Sequence, residues 1–144
     1  MKHLKRLLPI LCVSFILAQV DDGSQAKPTA AVLDFDGSGI TTQEAQVLTQ
    51  RLGSELVQTN ALIMVERNQM SEIMDEQGFQ QAGCTSAECA AEIGALLGVQ
   101  KMITGSFGKI GNSYTIEARM FTVESGKTEK TVSKTYKGEV DGLL

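Results

Sequence analysis

The sequence predicts an α/β fold, a two-layer sandwich in which helices pack on a mixed sheet of about five strands in the order βαβααβββ. Three observations carry that expectation. Short apolar runs, TAAVLDFD and ALIMVE, alternate with stretches whose apolar residues recur at helical spacing. Residues that start and stop helices stand at the ends of those stretches. Over the last third the period changes to two and stays there, which is the pattern of a meander of strands.

The chain opens on MKHLKRLLPILCVSFILAQ: Lys2, Lys5 and Arg6, then an apolar run from Leu7 to Leu17, then the small residue Ala18. That order is the anatomy of a secretory signal peptide over residues 1–18, and the run is too short to span a bilayer as a helix. Cys12 is preceded by Pro9, Ile10 and Leu11 where a lipidation signal wants a small residue, so cleavage near Ala18 is expected instead. Residues 19–28, QVDDGSQAKP, are polar and are expected to form a flexible tether. Residues 29–144 form one domain of ordinary size.

The domain begins with the strand TAAVLDFD, and GSGI turns the chain. Thr41 and Glu44 have capping-box spacing, and Ala45, Leu48, Leu52 and Leu56 follow along one helical face. ALIMVE, residues 61–66, is a second strand. Asn68 is the expected cap of a helix in which Met70, Ile73 and Met74 share a face, and Gly78 is its stop. A further helix, AAEIGALLG, places Ile93, Leu96 and Leu97 on one side and ends at Gly98. In the meander, Tyr114, Ile116, Ala118 and Met120 share one face and Thr115, Glu117 and Arg119 the other, with hairpin turns at IGNS and ESGK. The closing EVDGLL reads as the start of one more helix.

Removal of the leader takes the only histidine and leaves 10 basic against 17 acidic side chains, a net charge of about −7. Such a chain lacks the basic footprint that nucleic acid demands, and it lacks the commonest general base and zinc ligand. DFDGSGITTQEA fails as a calcium loop because Ala45 stands where the bidentate carboxylate belongs. The same loop has neither GxGxxG nor a Walker lysine. Met64, Met70, Met74 and Met102 fall on core-facing positions, as gap-filling methionines do. No nucleophile has a base beside it. No catalytic residue, metal ligand or cofactor site is expected.

GCTSAEC, residues 83–89, holds the two cysteines of the mature chain, Cys84 and Cys89. Thr85 and Glu88 have capping-box spacing, which puts Cys84 just before the cap and Cys89 at the fourth helical position, the two places a hydrophobic staple brings together. In an exported protein a disulfide clasp is the favoured reading. Two free thiols and a redox pair remain as alternatives, although four residues separate the cysteines where a thioredoxin-like motif has two. Two thiolates alone are too few for a zinc site.

AVLDFDGSG, VERNQMSEIMDEQGFQ and CTSAECAAEIGALLGVQKMITGSFGKIGNSYTIEARMFTVESGK together resemble the periplasmic domain of the curli-production assembly/transport family (CsgG-like), over about residues 29 to 140. The matched residues are glycines and apolar anchors, with Glu66 and Arg67 at a strand-to-helix junction. The resemblance implies a non-catalytic interaction module of the periplasm, acting in outer-membrane and envelope assembly or secretion. Its implied partners are envelope proteins or its own copies, through which it would associate with the outer membrane. Family relatives include a lipoprotein activator of penicillin-binding proteins, which implies an alternative module docking on a cell-wall synthase. A third reading, of a different class, is a small thiol oxidoreductase using Cys84 and Cys89. Pore-forming members carry long amphipathic hairpins. Here Lys101, Lys109, Lys130 and Lys134 interrupt the strand faces that lipid would have to contact, so no membrane-spanning segment is expected in the mature chain.

Overall fold

A computed structural model describes residues 26–79 and 86–143. Among these residues six strands and three helices follow one another as β1 (Thr29–Val32), β2 (Asp36–Ser38), α1 (Thr42–Gln58), β3 (Ile63–Met64), α2 (Arg67–Glu76), α3 (Ala87–Leu97), β4 (Lys101–Ile110), β5 (Ser113–Thr122) and β6 (Lys127–Lys137), before a short 3-10 turn, Val140–Leu143. The sheet runs β3-β1-β4-β5-β6, with β2 on β4. β3, β1 and β4 are parallel, and β4, β5 and β6 are antiparallel. The α/β class, the mixed sheet and the helices packed on it are as the sequence predicts.

The two-layer expectation is refined in one respect, because the helices divide between the two faces of the sheet. Ala31, Leu33, Met102 and Phe121 meet Met70 and Met74 of α2 and Ala90 and Ile93 of α3 in one apolar core. Val32, Phe35, Ile103 and Phe107 meet Ala45 and Leu48 of α1 in the other. Neighbours along one strand thus serve opposite cores, which is why β1 reads as a continuous apolar run rather than an alternation. Met70, Met74 and Met102 are fully buried core residues, as their spacing implied.

The expected strand TAAVLDFD is broken. Ala30 pairs with Lys101 and Asp36 with Ser106, so six steps along one strand meet five along the other. The extra residue is a bulge between β1 and β2, and it returns Phe35 to the same core as Val32. Phe35 leaves the ladder there, and its N–H donates to Thr49 Oγ1 at 3.2 Å. That hydroxyl donates in turn to the Ala45 carbonyl at 2.8 Å. Thr49 is buried at 1% exposure, so it closes a hydrogen-bond deficit that water cannot reach. Thr49→Val, equal in shape and without the acceptor, should cost about 1–3 kcal/mol in urea unfolding. Thr49→Ser should retain most of the stability.

Three helix starts test the capping reading. At α1 the box is complete: Glu44 N–H donates to Thr41 Oγ1 at 3.1 Å, and Thr41 N–H donates to the Glu44 carboxylate at 2.7 Å. The bond from Thr41 N–H, with a second that Thr41 Oγ1 donates to the same carboxylate at 2.8 Å, holds the Glu44 carboxyl below its ordinary range. α2 begins one residue before the expected cap, Asn68, because Met70 N–H donates to the Glu66 carbonyl at 3.0 Å and makes Glu66 the N-cap. α3 is capped by Ser86, whose hydroxyl accepts from Cys89 N–H at 3.2 Å, rather than by Thr85. The second strand contracts from residues 61–66 to Ile63–Met64.

Candidate functional site

At the carboxyl ends of β1 and β3 a cleft of about 450 Å³ opens between α1 and the start of α2, lined by Val32, Thr49, Gly53, Met64, Arg67 and Met70. In open α/β sheets this end of the parallel strands is where ligands settle. The Arg67 guanidinium, carried in by the first residue of α2, pairs with Asp34 from the bulge. That contact joins residues 33 apart in sequence and gives Arg67 its place, whereas Glu66, which also lines the cleft, is exposed. The pair neutralises the one strong positive charge of the cleft. The Thr49 hydroxyl is committed to Phe35 and Ala45, and Ser54 Oγ donates to the Gln50 carbonyl at 3.1 Å. The cleft therefore presents apolar side chains, polar groups engaged with one another at Arg67, Thr49 and Ser54, and the exposed side chains of Glu66 and Gln50 at its rim.

The calcium-loop residues diverge: Asp34 turns to Arg67, and Asp36 lies exposed in β2. Among the described residues no three His, Cys, Asp or Glu side chains gather as a metal set. Cys84 falls in 80–85, outside the described residues, so the pairing with Cys89 is not placed. Cys89 itself is partly buried against the α2–α3 core. With Ser86 as the cap, Cys89 is the third helical residue and Cys84 stands two before the cap, so the staple positions belong to Thr85 and Ala90 instead.

At the opposite margin of the sheet lies β6, paired with β5 on one side only. Every residue of it except Tyr136 is exposed. Its register carries a bulge where Met120 pairs with Lys130 and Phe121 with Thr128. The extra residue, Glu129, reaches back to Lys101, and Lys101 Nζ also donates to Thr122 Oγ1 at 3.0 Å. The hydrogen bond from Lys101 holds the Glu129 carboxyl below the usual glutamate range. A carboxylate lowered in the folded state favours folding above its unfolded pKa, and that contribution disappears as pH falls through the folded value. An NMR titration should therefore place the Glu129 midpoint below that of an unfolded peptide, and Lys101→Met should move it back up.

A family model described as curli production assembly/transport component CsgG matches residues 16–132. The chain belongs to the CsgG family. Among solved structures this CsgG family member resembles the C-terminal domain of LpoB from Escherichia coli, at 18% identity over 81% of this chain and 87% of that one, with a TM-score of 0.65. It also resembles lipoprotein GNA1162 from Neisseria meningitidis, at 11% identity over 78% and 82%, with a TM-score of 0.64. The PelC dodecamer from Paraburkholderia phytofirmans is similar at 10% identity over 78% and 73%, with a TM-score of 0.50. These likenesses show a shared fold. A search of the curated proteins finds no match to this chain. The CsgG family segment ends inside β6, at Val132. In the sequence Arg67 stands out only by its place at a strand-to-helix junction. No local pattern announces its link to Asp34, because the bulge that turns Asp34 is set by Thr49 from another element.

Proposed function

We propose that this chain is a non-catalytic protein-interaction module of the cell envelope, exported by a leader over residues 1–18 and acting in the periplasm. The observation that carries the reading is family membership across residues 16–132, on a fold whose cleft and open sheet edge offer contact surfaces. Among the described residues no helix is long and apolar enough to cross a membrane. Partners are envelope proteins or further copies of the chain; the oligomeric PelC neighbour supports the second. Docking on a cell-wall synthase is not favoured, because LpoB and this chain share a fold at 18% identity. The test is site-specific photo-crosslinking in living cells, with a crosslinkable residue at an exposed position of each surface. Discrete crosslinked adducts in the periplasmic or envelope fraction are expected. A chain that stays cytoplasmic with residues 1–18 intact, or that yields no adduct from any position, would refute the reading.

In the exported protein we propose that Cys84 pairs with Cys89. Intact mass after alkylation without reductant should show no added thiol label, and two labels should appear after reduction. Double labelling before reduction would eliminate the clasp.

A further inference from the structure

We propose that the free edge of β6 binds an extended, acidic segment of a partner protein as an added strand. The inference rests on the interaction-module reading and names its surface and the chemistry of its partner. An edge strand leaves a row of backbone N–H and C=O groups unpaired, and proteins usually blunt such edges by keeping them short or covering them. β6 is 11 residues long and exposed at every position but Tyr136. Its bulge lies near one end, at Glu129, so the ladder from Lys130 to Lys137 is regular.

The side chains select the occupant. Lys130, Val132 and Lys134 project on one face of β6, beside Met120, Ala118 and Ile116 of β5. Thr131, Ser133 and Thr135 project on the other. The strand also carries Lys127 and Lys137, and among the described residues none of its four lysines makes an ion pair. This positive margin belongs to a chain whose formal net charge is −4. Directly opposed side chains on neighbouring strands couple, attractively for unlike charges and repulsively for like ones. A second copy laid antiparallel on β6 in the register of greatest overlap is centred on Val132. That register sets Lys130 against Lys134 and Lys127 against Lys137, so the edge repels itself. An incoming strand with a carboxylate over Lys130, an apolar residue over Val132, which is 51% exposed, and a carboxylate over Lys134 satisfies every position. The hydroxyl side chains of the other face accept polar neighbours. Main-chain hydrogen bonds then supply affinity and the alternating side chains supply choice, as in other strand-addition complexes.

The experiment titrates an end-blocked peptide, Thr-Glu-Thr-Val-Thr-Glu-Thr, into the 15N-labelled protein at low salt. A second peptide carries Lys for both Glu, and a third is methylated on alternate backbone nitrogens. Saturable amide shifts confined to residues 129–135 and their β5 partners are expected with the first peptide, weakening at least tenfold with each of the others. Lys130→Glu with Lys134→Glu should reverse the charge preference, and Lys130→Gln with Lys134→Gln should abolish it. Both pairs lie on exposed positions, and an unchanged thermal midpoint verifies the fold. Shifts that bypass β6, equal binding of the methylated peptide, or a charge preference unmoved by either double variant would overturn the proposal. A partner crosslinked to the cleft with β6 unperturbed would also overturn it while leaving the interaction-module reading intact.

Discussion

Phe35→Ala should remove about 3–5 kcal/mol from the free energy of unfolding, the usual range when a buried phenylalanine leaves a cavity that its neighbours cannot fill. Phe35 is 3% exposed and sits against Phe107 with ring centroids 5.2 Å apart. The bulge delivers the ring to that spot, and Gly105 makes room for it: a β-carbon at Gly105 would lie 2.5 Å from the Phe35 ring and would also strike the Glu117 carbonyl. Gly105→Ala should therefore fail in the opposite sense, by overpacking, at a cost of about 1–3 kcal/mol. Urea unfolding followed by far-UV circular dichroism reads both. A loss below about 1 kcal/mol for Phe35→Ala would mean that the ring is not anchored.

Gly94 and Gly53 provide a second, paired expectation, because both lie inside helices where glycine costs about 1 kcal/mol relative to alanine. A β-carbon at Gly53 meets nothing within 4 Å, so Gly53→Ala should stabilise by about 0.5–1 kcal/mol. At Gly94 the same atom would lie 2.6 Å from Met102 Cγ and collide with Val123, which outweighs the propensity gain. Gly94→Ala should thus be destabilising on balance, and Gly94→Val by about 3 kcal/mol or more, since the branched side chain drives α3 away from β4. Thermal unfolding of the four proteins, wild type included, decides it. Equal shifts for the two alanine variants would show that α3 does not approach the sheet this closely.

What could be read beforehand was local. The Thr41–Glu44 box, the face of Ala45 and Leu48, the stop at Gly98 and the period-two meander each depend on residues a few places apart, and each is found where expected. The Gly98 stop carries the left-handed conformation that glycine accepts. The remainder depends on distant partners. The bulge needs Thr49, the role of Arg67 needs Asp34, and Glu129 needs Lys101. Asn68 looked like a cap by type, yet the helix starts at the preceding residue. Apolar runs such as AAVL also cannot show which residue serves which face of a sheet, because all four are buried. The lysines of the third meander strand are visible in the sequence, but the place of that strand at the margin of the sheet belongs to topology.

The uneven cover of the sheet grades its local stability. β1 and β4 are gripped by apolar cores on both faces, whereas β6 is attached chiefly through its ladder to β5. Segments with few buried contacts open without global unfolding, and their backbone hydrogens exchange with solvent through those small openings. Exchange should consequently run fastest along β6 and slowest at Ala31, Met102 and Ile103, with the helices still formed while β6 is open. Any strand added at the margin has to hold β6 shut as well as itself, so its affinity includes the work of suppressing that fraying.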